Sequence, residues 1–373
     1  MPEPLKHVYN PLFFEQLTAV LKEVLPHFKK QPFLNQIFDA EWEAKELKQR
    51  MRHIATVLKN YIPGAYKEQV SYIIRIVEHL KSKGIKSGFE YMFLPDFIEQ
   101  YGLEDVVTSL RAMERITQFT SCEFAIRPFV LHYQNEVMQQ MLEWSKHPHH
   151  HVRRFASEGC RPRLPWAMAI PSLKHDPSPI LPILENLKND ESLFVRKSVA
   201  NNLNDIAKDH PDIVAQVVKR WKGESKETDW IIKHGCRTLL RKADNNIYEL
   251  FGLSNETSCE IKKLTLHNTK LTIGESLIFS FELMLRSKKE EKLRIEYAIY
   301  YVKANGTRSR KVFQLTAKIF QPNTVYKIKK EQRFQNFTTR KHYHGKHKIG
   351  ILVNGKELAV KEFLLLDKKP SIK

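Results

Sequence analysis

The sequence predicts an α + β multidomain chain. An N-terminal all-α helical-repeat solenoid over residues 1–253 is followed by an all-β sandwich over residues 254–373. Three observations predict this. Apolar residues recur with a helical period up to about Leu253 and with a period of two after Ser258. Helical segments in the first part look like copies of one another, offset by 43 and then 36 residues. A chain of 373 residues is also too long for one ordinary compact core.

The helices follow in order. Phe13, Phe14, Leu17, Val20, Leu21, Val24 and Leu25 form one apolar stripe. Ile54, Val57 and Leu58 belong to a second helix, which starts near Asp39 and stops before Pro63-Gly64. Ile73, Ile74, Val77 and Leu80 form a third, closed by Gly84. Further helices are predicted over residues 103–119, 135–145, 179–188, 192–208, 213–221 and 229–242. "VRRFASEG" from Val152 aligns with "VRKSVANNL" from Val195 and with "IIKHGCRTLL" from Ile231. Small residues (Ala156 or Ser157, Ala200, Cys236) recur where helices must approach. That period and the V-R-[RK] start resemble HEAT-like repeats, two antiparallel helices per unit.

After Ser258, "EIKKLTLHN", "ESLIFSFELMLR", "LRIEYAIYYVKANG", "RKVFQLTAKIF", "TVYKIKKEQRF", "HKIGILVNG" and "KELAVKEFLLL" alternate apolar and polar residues. Gly274, Asn305-Gly306, Pro322-Asn323 and Asn354-Gly355 mark turns between them. About seven strands at this spacing suit an immunoglobulin-like sandwich. No antibody-type cysteine pair is present, so the likeness is one of architecture.

Composition narrows the class of function. No apolar run approaches the roughly 20 residues that span a bilayer, and the first ten residues have no apolar signal region. Cys122, Cys160, Cys236 and Cys259 are scattered, which suggests neither a disulfide framework nor a zinc site and points to a reducing cytoplasm. The net charge of +19 points to a polyanionic partner, nucleic acid first and a membrane surface second. From Ser258 onward there are 26 basic side chains against 10 acidic ones, and the preceding part is close to neutral. The β domain therefore reads as a DNA-binding accessory module, or else as a solvated lysine-rich surface. "HPHHHV" from His147 and "HYHGKH" from His342 lack the spacing of a metal site, and no metal is expected. "TTRKHYHGKHK" from Thr338 reads as a basic loop whose Arg340 and Lys341 could meet DNA. With no P-loop and no G-x-G-x-x-G, no cofactor is indicated.

The stretch "HVRRFASEGCRPRLPWA" (151–167) concentrates Arg153, Arg154, Arg161 and Arg163 around Glu158 and Trp166. Snorkelling explains Arg153 and Arg154, but two prolines make "CRPRLPW" a constrained turn. A tryptophan after such a turn is either a core anchor or a platform at the mouth of a groove. Taken alone, Trp166 reads as core.

Together, "EFAIRPF" from Glu123, "HVRRFASEG", "RPRLPWA" and "VRKSVANNLND" resemble the HEAT-like-repeat DNA glycosylases of the AlkC type. The resemblance covers nearly the whole chain, including the C-terminal Ig-like module. It implies a monofunctional DNA N-glycosylase of base excision repair that acts without base flipping or a metal. Its substrates would be cationic N-alkylated bases in double-stranded DNA, typically 3-methyladenine and 3-methylcytosine. Glu158 and Trp166 match the family's S-E-G and L-P-W active-site residues. Asp205 matches its second carboxylate, Glu123 a further acid lining the site, and Arg154 a DNA-contacting arginine.

The residue types suit that chemistry. An N3-alkylated base is already positive, so it leaves without protonation, and the positive charge moves to the sugar. Carboxylates beside the sugar stabilise it, and one can orient or deprotonate water. Arg153, Arg154, Arg161, Arg163, Arg196 and Lys197 are expected at phosphates, in a protein working as a monomer. The rival reading is a non-catalytic scaffold that binds DNA or RNA, with Glu158 and Asp205 paired to the repeat arginines.

Overall fold

The computed structural model describes residues 3–254, 256, 258–337 and 340–367. Asn255 and Thr257, at the change of period, and Thr338 and Thr339, at the start of the basic loop, lie outside them. The chain forms two compact units, one over residues 3–235 and one from Cys236 onward.

The first unit is all-α. Its helices are α1 (Pro11–Val24), α2 (Lys30–Ile37), α3 (Leu47–Lys59), α4 (Tyr66–Ser82), α5 (Phe93–Tyr101), α6 (Val106–Ile116) and α7 (Ile126–His132). They continue as α8 (Gln134–Trp144), α9 (His150–Gly159), α10 (Pro171–His175), α11 (Leu181–Leu187), α12 (Leu193–Ile206), α13 (Pro211–Trp221) and α14 (Lys226–Gly235). The starts are set locally. Asn10 and Asp105 accept from the backbone N–H three residues on, and Glu46 with Gln49 forms a reciprocal cap. The three sequence copies become α9, α12 and the end of α14. α9 packs on α12, and α12 on α14. Ala156, Ser157 and Ala200 are buried at these contacts, and a methyl on Gly235 would come within 2.9 Å of Leu203 Cβ.

The second unit begins with α15 (Arg237–Lys242) and α16 (Asn245–Leu250) and continues as β1 (Cys259–Leu266), β2 (Lys270–Thr272), β3 (Ser276–Leu285), β4 (Glu291–Val302), β5 (Arg308–Phe320), β6 (Val325–Arg333), β7 (Gly345–Val353) and β8 (Lys356–Leu366). One sheet runs β1-β3-β6 and the other β2-β8-β7-β4-β5, antiparallel except for the β2–β8 pair. Leu277, Phe279, Phe281, Leu283 and Leu285 of β3 face Leu293, Ile295, Tyr297 and Ile299 of β4 across one apolar core. Asn354 and Gly355 both have positive φ (43° and 78°), as a two-residue hairpin turn requires.

Two expectations need correction. The helix predicted over 229–242 is broken at Cys236, and its second half joins the β unit. The cause is packing: a methyl on Gly355 would strike Ala243, and Lys292 Nζ donates to the Phe251 carbonyl at 2.9 Å. The same cover explains why β4 is buried on both faces, with the Arg294–Glu296 ion pair on its outer side. There are also eight strands among the described residues, because the three-residue β2 is too short to show a period.

His347 lies fully buried in the sandwich, stacked on Phe363, with Nε2 against the Tyr343 carbonyl at 3.0 Å. Burial pushes its pKa below the ordinary histidine value. A depressed folded-state pKa means the unfolded chain binds the proton first, so stability is complete above about pH 6.5 and falls as the pH drops below it. Each unit of depression is worth about 1.4 kcal/mol. Thermal unfolding at about pH 7.5 and pH 5.5 should show a smaller acid loss in His347→Gln than in the wild type. Equal losses would place the acid sensitivity elsewhere.

Candidate active site

Glu158 ends the last turn of α9, and Asp205 occupies the last turn of α12. The negative end of a helix disfavours an acid there. Both are nevertheless buried, at 6% and 2% exposure. What makes this tolerable is Arg161, from the turn after α9. Its Nη1 donates to Glu158 Oε1 at 2.6 Å, and its Nε donates to Asp205 Oδ2 at 2.8 Å. Burial works against the Arg161 charge, but Glu158 and Asp205 outweigh it and hold its pKa above the ordinary guanidinium value.

The row extends at both ends. Lys208 Nζ donates to Asp205 Oδ1 at 2.9 Å. On the other side, Arg154 Nη2 lies 3.7 Å from Glu158 Oε1, while Nη1 donates to Glu123 and, at 3.0 Å, to Ser121 Oγ. Glu123, Arg154, Glu158, Arg161, Asp205 and Lys208 thus alternate in sign along one connected row. Glu158 Oε2 accepts no hydrogen bond from the described residues.

At the Glu123 end the row opens into a cleft of about 470 Å³, lined by Glu123, Arg154, His151, Phe89, Phe119 and Phe194 among others. The Arg154 guanidinium lies over the Phe194 ring, 4.6 Å from its centre. Trp166 stands beside this cleft, its ring 6.2 Å from that of Phe89. It is 58% exposed and has φ 64°, a left-handed conformation that costs a non-glycine residue about 1–2 kcal/mol. Lys48 Nζ donates to its carbonyl at 2.9 Å, and the two prolines on either side of Leu164 stiffen the turn. Trp166 is therefore a presented platform, not the core residue it resembles when read alone.

Several expected phosphate contacts are engaged inside the protein. Arg153 forks onto Asp190 (2.5 and 3.1 Å) and bonds the His147 and Pro148 carbonyls. Arg196 donates to the carbonyls of Asp190 and Glu191. Arg163 forks onto Asp209, and Arg161 is buried between the two carboxylates. Asp190, Asp205 and Asp209 lie 37 to 46 residues in sequence from Arg153, Arg161 and Arg163, beyond the reach of periodicity. Lys197 and Lys341 are exposed, and Arg340 lies over the Tyr301 ring. Sequence reasoning missed Ser121, Arg127, Phe194, Asn202 and Lys208. "VRKSVANNLNDIAK" displays Asn202 and Lys208 beside Asp205, but only the fold shows their partners. The histidine run caps α9: His149 Nδ1 accepts from His151 N. No group of three or more His, Cys, Asp or Glu among the described residues is placed to hold a metal ion.

A family model for DNA alkylation repair enzymes matches residues 106–239, which contain the whole charged row. A second, for the C-terminal Ig-like domain of YhaZ, matches residues 260–367. The chain is 45% identical over 351 residues to the uncharacterized protein YhaZ of Bacillus subtilis (strain 168), covering 94% of this chain and 96% of that protein. The chain belongs to the AlkC/YhaZ-type DNA alkylation repair family. Within solved structures, the Pseudomonas fluorescens alkylpurine DNA glycosylase AlkC, bound to DNA containing an abasic site analog, matches with a TM-score of 0.92 at 36% identity. The match covers 98% of this chain and 100% of that one, so the AlkC/YhaZ fold extends through both units. No helix among the described residues is long and apolar enough to cross a membrane.

Removing Arg161 leaves two buried acids without their shared counter-charge. Arg161→Met should lose about 3–5 kcal/mol in chemical denaturation. Adding Glu158→Gln and Asp205→Asn should recover most of that. A loss below about 1 kcal/mol would mean the carboxylates are solvated well enough to stand alone.

Proposed function

We propose that this protein is a DNA glycosylase of base excision repair. It hydrolyses the N-glycosidic bond of cationic N-alkylated bases, 3-methyladenine and 3-methylcytosine, in double-stranded DNA. The observation that carries the reading is the pair Glu158 and Asp205, both buried and fixed by one arginine, with Glu158 Oε2 left without a protein donor among the described residues.

The base departs with the electron pair of the C1′–N bond and becomes neutral. Positive charge appears on the sugar, where the carboxylates stabilise it. Water adds to C1′, and Glu158 Oε2 takes its proton. A neutral base gains little from this arrangement, so selectivity for cationic lesions follows from charge. Trp166 would offer its face to the lesion, an attraction worth about 0.5–2 kcal/mol, and its exposure suits a lesion that stays in the stack. The product would be an intact abasic site, because Lys208 is tied to Asp205 and not presented as a free amine. Four free cysteines suit a cytoplasmic enzyme.

The β unit would add electrostatic grip. Its edge strands β5 and β6 flank a groove of about 400 Å³ lined by Lys318, Lys327, Lys329 and Lys330 with Phe320 and Tyr326, and no acid lines it. A second reading, a non-catalytic DNA-binding scaffold, draws on the ion pairing of Glu158 and Asp205 themselves.

Free base is measured after incubation with DNA carrying 3-methyladenine, 3-methylcytosine or 7-methylguanine. The wild type should release the first two. Glu158→Gln and Asp205→Asn should each slow release by about 10²–10³-fold. No release from any of the three would leave the scaffold reading. Separately, replacing the four groove lysines by glutamine should flatten the dependence of log affinity on log salt, by about 0.9 for each phosphate that is no longer neutralised. An unchanged slope would remove the groove from the DNA interface.

A further inference from the structure

We propose that Arg127 is a positioning residue for the reaction centre, holding the main chain of residues 159–161 so that the Arg161 side chain stays seated between Glu158 and Asp205. This rests on reading those two carboxylates as the reaction centre. Arg127 has 0% exposure. Its Nη1 donates to the Gly159 carbonyl at 3.2 Å and to the Arg161 carbonyl at 2.8 Å. These two bonds straddle the point where α9 ends and the turn carrying Arg161 and Trp166 begins.

The position is an expensive one for a cation. Nε and Nη2 find no partner among the described protein atoms. Arg127 also stands in the first turn of α7, the positive end of that helix. Burial pushes its pKa down to about 10, while Asp205 and Glu158 pull it up. If two carbonyls merely needed a donor, a neutral amide would serve with far less desolvation. Two consequences of the charged fork explain its presence. It braces both sides of Cys160, whose Sγ also receives Asn202 Nδ2 at 3.5 Å. It also sets a fixed positive charge behind Glu158 and Asp205. The charges facing this group are Arg161, Asp205 and Glu158, with Cys160 beside it. Arg154 and Lys208 face the carboxylates from outside.

The test is single-turnover base release by the full chain on DNA carrying 3-methyladenine. Wild type, Arg127→Met and Arg127→Lys are compared, with Glu158→Gln in parallel. Arg127→Met should slow release at saturating DNA by about 10–100-fold, the scale of a small misplacement of reacting groups. Its DNA affinity should stay within about twofold, so the loss falls on the rate constant and not on binding. Arg127→Lys should recover part of the rate but not all of it, since an ammonium cannot reproduce the planar fork. A full rate in Arg127→Met, or a loss that falls on DNA affinity instead of rate, overturns the proposal. If Arg127→Met does not fold, Arg127→Lys decides: a reduced rate at unchanged affinity supports the brace, and a wild-type rate refutes it. Fully active Arg127 variants beside an inactive Glu158→Gln would sink this inference alone. A wild type that releases no base sinks the reading of the site and this inference with it.

Discussion

Arg161 seated between Glu158 and Asp205 is the interaction on which the site depends. It joins the end of α9 to the end of α12 and fixes where two acids can point. It also makes their burial possible, since a buried charge without a partner is costly. One guanidinium shared by two acids holds both in place, and Arg154 and Lys208 add a cation at either end.

Where the acids sit also matters. Acids in the last turns of α9 and α12 oppose the helix dipoles, and a fold selected for stability alone would place lysine or arginine there. The chain instead brings cations from neighbouring positions: Arg154 and Arg161 around Glu158, and Lys208 beside Asp205. Local rules broken at buried positions and then compensated are what a functional site looks like in physical terms. Trp166 follows the same logic, as an exposed indole on a left-handed backbone braced by Lys48.

Much of this was legible in the sequence, and the limits have physical causes. The change of period located the two structural classes, and the Asn354-Gly355 turn was readable because only such residues accept its backbone. α9 and α12 stood out as repeats, while Glu158 and Asp205 were singled out only by the resemblance of their motifs to the glycosylase family. The fate of the arginines did not. Arg153, Arg154 and Arg161 follow one another closely, yet they pair with Asp190, Glu123 and Asp205 respectively, on segments that period alone cannot dock. Arg127 sits unmarked within "EFAIRPF", because burial is not visible in a residue type that usually snorkels. The division after Gly235 was hidden because α15 continues a helical pattern whose packing partner is a sheet.

The charge of the chain is divided unevenly. In the helical unit the cations near the acids are largely consumed by them, leaving a row that alternates in sign. The surplus lies instead after Ser258, where basic side chains outnumber acidic ones 26 to 10. Net positive charge and the buried carboxylates are thus separated along the chain. An arginine-rich motif therefore need not be a DNA contact: Arg153, Arg161 and Arg163 are each engaged by an aspartate of their own chain.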